Sequence, residues 1–267
     1  MPLGLLLDID GVMVTSWKAL PGAVEAVAEL EDLGYPRMFL TNTTSRSRGE
    51  IAEALNDCGF DVAPDEILTA AKLTAEYLTA NHPGKCVWVL NEGPIAEDMT
   101  GVELTDDPAR AEVVVLGGAG PVFDHRALSQ VLELMVRGTP VIAMHRSMTW
   151  STAVGLSIDT GVYLEGLEKA ADRKIRAIGK PSPLGFRAAV DLMQLEPTQV
   201  VMVGDDMHND VLGAQAAALI GVLVKTGKFR EEALDALQRD EFGPVPDHIV
   251  DSLADVPALM RKLSDQT

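Results

Sequence analysis

Short apolar runs recur along the chain, each closed by polar or charged residues or by glycine. Leu3 to Leu7, Arg37-Met38-Phe39-Leu40, Val87-Trp88-Val89-Leu90, Val113-Val114-Val115-Leu116, Val141-Ile142-Ala143-Met144, Val200-Val201-Met202-Val203 and Gly221-Val222-Leu223-Val224 are of this kind. Strands covered on both faces lose the in-out alternation, so these runs read as buried strands. Amphipathic stretches fill the intervals. Pro21-Gly22-Ala23-Val24 opens a helix with an apolar stripe of Val24, Val27 and Leu30, closed by Gly34. Ser47 and Glu50 have capping-box spacing for a helix through Leu55 that ends at Gly59. Further helices are expected over 64–77, 124–137, 183–195 and 209–218. Strands alternating with helices predict an α/β chain with parallel sheets covered on both faces. There is no repeat of fixed period, no low-complexity tract and no evident linker, so a division into domains must come from topology.

Composition changes this picture little. With 267 residues, 47% hydrophobic and 23% charged, the chain suits one large folded domain or two smaller ones. A net charge of −18 argues against nucleic acid or an anionic membrane as partner. An anionic substrate would need a local cation. Cys58 and Cys86 lie far apart with no Cys-x-x-Cys spacing, so a disulfide framework is not expected and the reducing cytoplasm is the expected home. The apolar start is short and lacks a basic leader, so it is not read as a signal peptide. No run approaches the ~20 apolar residues of a membrane span.

The chemistry sits where the strands end, the place at which open α/β sheets bind ligands. Asp8-Ile9-Asp10-Gly11-Val12 follows the first run, Thr41-Asn42 the second, and Gly204-Asp205-Asp206-Met207-His208-Asn209-Asp210 the run at 200–203. Gly179-Lys180-Pro181-Ser182 precedes a helix. Singly these are weak signals: an acid pair, a turn, a loop lysine, a helix start with dipole-favoured acids. Together they supply what covalent phosphoryl transfer requires. One carboxylate attacks phosphorus, a second acid protonates the leaving oxygen, and a cation with donors spreads the charge of the transferring group. Mg²⁺ takes oxygen ligands from few carboxylates, which fits Asp8 with Asp205. Lys180 would bind the phosphate and offset the clustered negative charge.

In this order the clusters resemble the four motifs of the haloacid-dehalogenase (HAD) superfamily of phosphatases. The resemblance implies a three-layer Rossmann-like core over 1–75 and 175–267, with an α/β cap inserted over 76–174 as in subclass IIA. It implies Asp8 as nucleophile and Asp10 as general acid/base, the latter also giving its backbone carbonyl to Mg²⁺. Thr41, Asn42 and Lys180 would bind phosphate, and Asp205 would bind metal. Asp210 would act through water or by orienting its neighbours. Asp-Ile-Asp-Gly-Val, Thr-Asn-Thr-Thr-Ser, Gly-Lys-Pro-Ser-Pro and Val-Lys-Thr-Gly-Lys-Phe-Arg are most similar to the phospholysine phosphohistidine inorganic pyrophosphate phosphatase branch. Asp10 departs from it, since those relatives carry Ser there. That restores the general acid and favours ordinary phosphomonoesters.

His145, Arg146 and Trp150 fall in a stretch that hangs over the active site in subclass IIA; substrate contact and a solvated loop are both open readings. His82, His125 and His248 read as surface residues, His208 as a helix-start residue, and Cys58 and Cys86 as packing. Thr226-Gly227-Lys228 lacks the upstream glycine of a P-loop, so no nucleotide site is expected there. The expected function is a Mg²⁺-dependent phosphatase acting on a small phosphorylated molecule through an aspartyl-phosphate. A phosphotransferase and a phospho-receiver-like signalling or binding protein use the same acids. The close Asp8-x-Asp10 spacing and the long insertion argue against the receiver. A homodimer through the cap is left open, and the substrate is not written in the motifs.

Overall fold

The computed structural model describes residues 3–152, 155–239 and 243–266. The apolar runs become two separate parallel sheets. The first has six strands in the order His248–Val250, Ile220–Val224, Val200–Gly204, Gly4–Leu7, Arg37–Thr41, Ile67–Thr69. The chain therefore starts in the middle, builds outward to one side, and after a long excursion returns to build the other. Leu5 and Leu7 face Val201 and Val203 on one flank, and Arg37 and Phe39 on the other, all in parallel register. The switch in build direction falls between Gly4–Leu7 and Val200–Gly204, where such sheets open a crevice at their carboxyl ends.

The second sheet has five strands in the order Arg176–Ala177, Val141–Ala143, Val113–Leu116, Cys86–Leu90, Glu103–Thr105, again parallel throughout. The fold is thus a Rossmann-like core with an inserted α/β cap. One compact unit comprises the chain up to Thr41, Glu50–Leu68 and everything from Lys180 onward. The other comprises Asn42–Gly49 and Thr69–Gly179. The divisions fall at Leu68 and Gly179, where 75 and 175 are the boundaries expected from sequence. Each unit has its own apolar interior. Leu5, Leu7, Phe39, Ile51, Val201 and Val222 are buried in the first, and Val114, Leu116, Val131, Ala143 and Leu164 in the second. None of the described helices is long and apolar enough to cross a membrane.

Two local expectations need correction. The stretch 64–77 is not one helix: Pro64–Glu66 is a 3₁₀ turn, Ile67–Thr69 a strand, and only Ala70–Asn81 is α-helical. Ile67 and Leu68 are buried at the sheet edge, and Thr69 accepts the Lys72 N–H as N-cap, so strand pairing overrides the helical pattern there. The stretch after Val203 begins as a π-helical turn, Met207–Leu212, and becomes α-helical only over Gly213–Ala216. Such wide turns occur often at functional sites, and this one projects Asp210.

Candidate active site

Asp8 follows directly on the buried strand Gly4–Leu7, and its N–H bonds the Val203 carbonyl at 3.0 Å, continuing the ladder to the next strand. Asp205 follows that next strand, so the sheet's central pairing places the two acids side by side. The π-turn brings Asp210 to the same place. Asp8, Asp205 and Asp210 are all buried, and a carboxylate oxygen from each lies within 4.8 Å of the others. Lys180, itself 3% exposed, sets its ammonium 2.7 Å from Asp8 Oδ1 and 2.8 Å from Asp210 Oδ1.

One ammonium against three buried carboxylates leaves negative charge in excess. Burial, followed by repulsion from Asp8 and Asp210, raises the Asp205 carboxyl well above the usual carboxylate range. Burial and Asp8 raise Asp210 likewise, with Lys180 opposing. Lys180 is held as a cation: burial opposes its charge, but Asp210 and Asp8 outweigh that. Asp205 Oδ1 is buried and accepts no hydrogen bond. A buried, unsatisfied oxygen in a carboxylate cluster is where a hard divalent cation fits, so this donor set suits one.

Asp205 is fixed by the stretch Val-Lys-Thr-Gly-Lys-Phe-Arg, which the family resemblance includes but to which no site role is given. Its Oδ2 accepts the Lys228 N–H at 2.7 Å and is packed against the bare Cα atoms of Gly11 and Gly227. A Cβ on either glycine would overlap that oxygen, and both have positive φ, +85° and +55°. The Thr226 hydroxyl donates to the Gly11 carbonyl, tying this turn to the Asp8-x-Asp10 loop. The absence of a P-loop pattern argues only against a nucleotide site at Thr226-Gly227-Lys228. Its place beside Gly11 is a tertiary fact, and the glycine with a lysine after a strand is the signal that pointed there. The Lys228 ammonium lies 3.6 Å from Asp206 and is raised in pKa: burial opposes, but Asp8 and Asp206 prevail. Asp206 caps the π-turn, accepting from the N–H groups of His208 and Asn209 at 3.1 and 2.9 Å. Burial opposes its charge, yet the Asn209 N–H and Lys228 hold it below the usual range.

Asp10 is exposed, on a loop held by a bridge to Val14. Thr41, buried, ends the strand beside Gly4–Leu7. Asn42 opens the loop Asn42–Gly49, grouped with the second unit. His145, Arg146 and Trp150 also belong there. His145 is buried, its Nδ1 3.3 Å from the Ser147 N–H and 3.9 Å from Asp159 Oδ2. Trp150 is 47% exposed on the hairpin strand Thr149–Thr152. Arg146 forms a two-pronged pair with Glu168, at 2.8 and 3.1 Å, and also donates to the Ile175 carbonyl at 3.0 Å. Its guanidinium thus joins helix Thr160–Ala171 to the approach of the edge strand Arg176–Ala177.

That fork, with the Ile175 N–H, draws the Glu168 carboxyl down to about 2 from an ordinary 4.5. A depressed acid stabilises the fold fully above its unfolded value, and the contribution is lost as pH falls through the folded one. The wild-type melting temperature should therefore drop more steeply between pH 4.5 and 2 than that of Glu168→Gln. Parallel pH curves for the two proteins would remove this pair from the account.

Comparison with known proteins agrees with the geometry. Residues 5–105 match the haloacid dehalogenase-like hydrolase family and residues 177–256 a second, HAD-hydrolase-like model. Human haloacid dehalogenase-like hydrolase domain-containing protein 2 is 34% identical over 93% of this chain and 96% of its own. Human phospholysine phosphohistidine inorganic pyrophosphate phosphatase is 32% identical over 98% and 96%. Among solved structures, the p-nitrophenyl phosphatase from Archaeoglobus fulgidus superposes with a TM-score of 0.88 at 31% identity, covering 97% of this chain and 99% of that one.

Proposed function

Since the chain belongs to the haloacid dehalogenase-like hydrolase family, we propose that it is a Mg²⁺-dependent phosphatase cleaving a small phosphorylated molecule through an aspartyl-phosphate on Asp8. The observation that carries this reading is the buried trio Asp8, Asp205 and Asp210 at the sheet's switch point, with the Lys180 ammonium bonded to Asp8 and Asp210. A merely structural cluster would gain nothing from so much unbalanced charge.

In the proposed reaction an Asp8 oxygen bonds phosphorus while the ester bond to the leaving oxygen breaks. Asp10 gives that oxygen a proton. A water then attacks the phosphorus of the acyl phosphate, Asp10 takes the water's proton, and Asp8 is released with inorganic phosphate. The Thr41 hydroxyl and the Asn42 amide donate to phosphoryl oxygens, and Lys180 offsets their charge. Asp8, Asp205 and the Asp10 carbonyl would hold the Mg²⁺, which supplies positive charge against the phosphoryl group when bound; Asp210 orients Lys180. The exposed position of Asp10 suits a group that must meet a different leaving oxygen with each substrate. His145 and Trp150 are the cap residues proposed to touch the leaving group, whereas Arg146 has its guanidinium engaged by Glu168.

The test is turnover on a panel of phosphomonoesters, pyrophosphate and phosphoamidates, with the protein first stripped by EDTA. Activity should be absent in the chelated protein and return with Mg²⁺, phosphomonoesters ranking first. Undiminished turnover after exhaustive chelation would exclude the ion, and no hydrolysis anywhere on the panel would exclude the phosphatase.

A further inference from the structure

The segment Asn42–Gly49, a loop leading into the helix Arg48–Asp57, is held in the second unit by contacts spread along its length. At its start, the Asn42 amide oxygen packs on Gly179, where a Cβ would come within 2.5 Å of it. Next, the Asn91 amide donates to the Thr44 carbonyl at 3.0 Å. One residue on, the backbone of Ser45 lies against the bare Cα of Gly93, whose missing Cβ would stand 2.6 Å from the Ser45 Cα. Just beyond the loop, at the first residue of the helix Arg48–Asp57, Arg48 Nε donates at 2.9 Å to Asp98, an acid 1% exposed whose other oxygen takes the Thr69 hydroxyl at 2.7 Å.

Asn91 is the centre of this arrangement. It follows the strand Cys86–Leu90, and both ends of its amide are hydrogen-bonded to backbone. The nitrogen serves Thr44 and the Gly93 carbonyl, at 3.0 and 3.1 Å, and the oxygen takes the Gly118 N–H at 2.8 Å. One side chain thus ties the loop to the turns after two neighbouring strands of the five-stranded sheet. We propose that Asn91 is a positioning residue for phosphate binding, with Asp98 as a second anchor: through Thr44 and Arg48 they set the backbone that presents Asn42. This rests on the phosphatase reading above.

A group that meets the phosphoryl oxygens in both ground and transition states changes KM more than kcat when misplaced. Asn91→Ala should raise both KM for p-nitrophenyl phosphate and the inhibition constant of inorganic phosphate about tenfold, with kcat within about twofold. Asn91→Asp separates loop positioning from simple packing. It keeps the acceptor for the Gly118 N–H but turns a carboxylate toward the Thr44 and Gly93 carbonyls. Positioning through Thr44 makes it as poor as Asn91→Ala. A wild-type-like Asn91→Asp would overturn the proposal, leaving Asn91 as a staple for Gly118 alone. If the Asn91 variants do not fold, Asp98→Asn gives the reading, since it removes the charge facing Arg48 at nearly constant shape. The same rise in both constants is expected, and unchanged constants overturn the proposal. Wild-type protein that neither turns over nor binds phosphate would overturn the phosphatase reading and this one together. Active wild type with unaffected variants would overturn the positioning role only.

Discussion

Asp8→Asn should leave no turnover above background, while Asp10→Asn should retain a measurable fraction. The two residues stand one apart but have different roles in the proposed scheme. An amide at position 8 cannot become an acyl phosphate, and it also removes one of the two carboxylates proposed to hold the cation. At position 10 the backbone carbonyl survives and only proton transfer is lost, a contribution on the order of 10²–10⁴ in rate. The Asp10→Asn deficit should shrink with p-nitrophenyl phosphate, whose leaving group departs unprotonated, and grow with alkyl phosphates. Rapid-quench labelling should place phosphate on Asp8 alone. Wild-type rates from Asp8→Asn would make that residue a plain ligand and end the covalent scheme.

Lys180→Met should produce the largest loss of stability among site variants as well as a loss of phosphate binding. Its ammonium is the one cation bonded to both Asp8 and Asp210 among the described residues, in a setting where all three groups are buried. Removing one partner of a buried ionic group strands the others, which costs about 3–5 kcal/mol. For a chain of this size that is a fall in melting temperature on the order of 10 °C. Measured in EDTA, the fall should be large. Added Mg²⁺ should recover part of it, because a second source of positive charge then faces the same carboxylates. A Lys180→Met protein that melts with wild type and binds phosphate equally well would show that Asp8 and Asp210 do not depend on this counterion.

Much of this was legible along the chain because the signals are local. A strand buried on both faces must be apolar throughout, so Leu5 to Leu7, Val113 to Leu116 and Val200 to Val203 announce themselves without reference to partners. Polar and charged residues directly after such runs are conspicuous for the same reason: burial beside them is costly unless something is bound. Asp8, Thr41 and Asp205 were found in this way. Lys180 is picked out as a lone lysine before a helix, and its order among them carries the family resemblance.

Tertiary structure decided the rest, through contacts between residues remote in sequence. The long insertion separates Lys180 from Asp8, and only the return of the chain to Val200–Gly204 brings the later motifs to the first strand. The helical pattern over 209–218 does not reveal the π-turn that delivers Asp210. Thr226, Gly227 and Lys228 acquire their role only because their turn closes on Gly11. Ile67 and Leu68 became a strand because an open sheet edge lay beside them, outweighing the helical pattern in which they sit. Arg146 has the same local sequence whether it meets a substrate or Glu168; the position of helix Thr160–Ala171 turned it to Glu168. Periodicity and motif order depend on neighbours a few residues away and so are carried by the sequence itself. Which charge faces which, and which loop is held by which unit, depends on sheet order and loop closure, and that is settled only when the chain has folded.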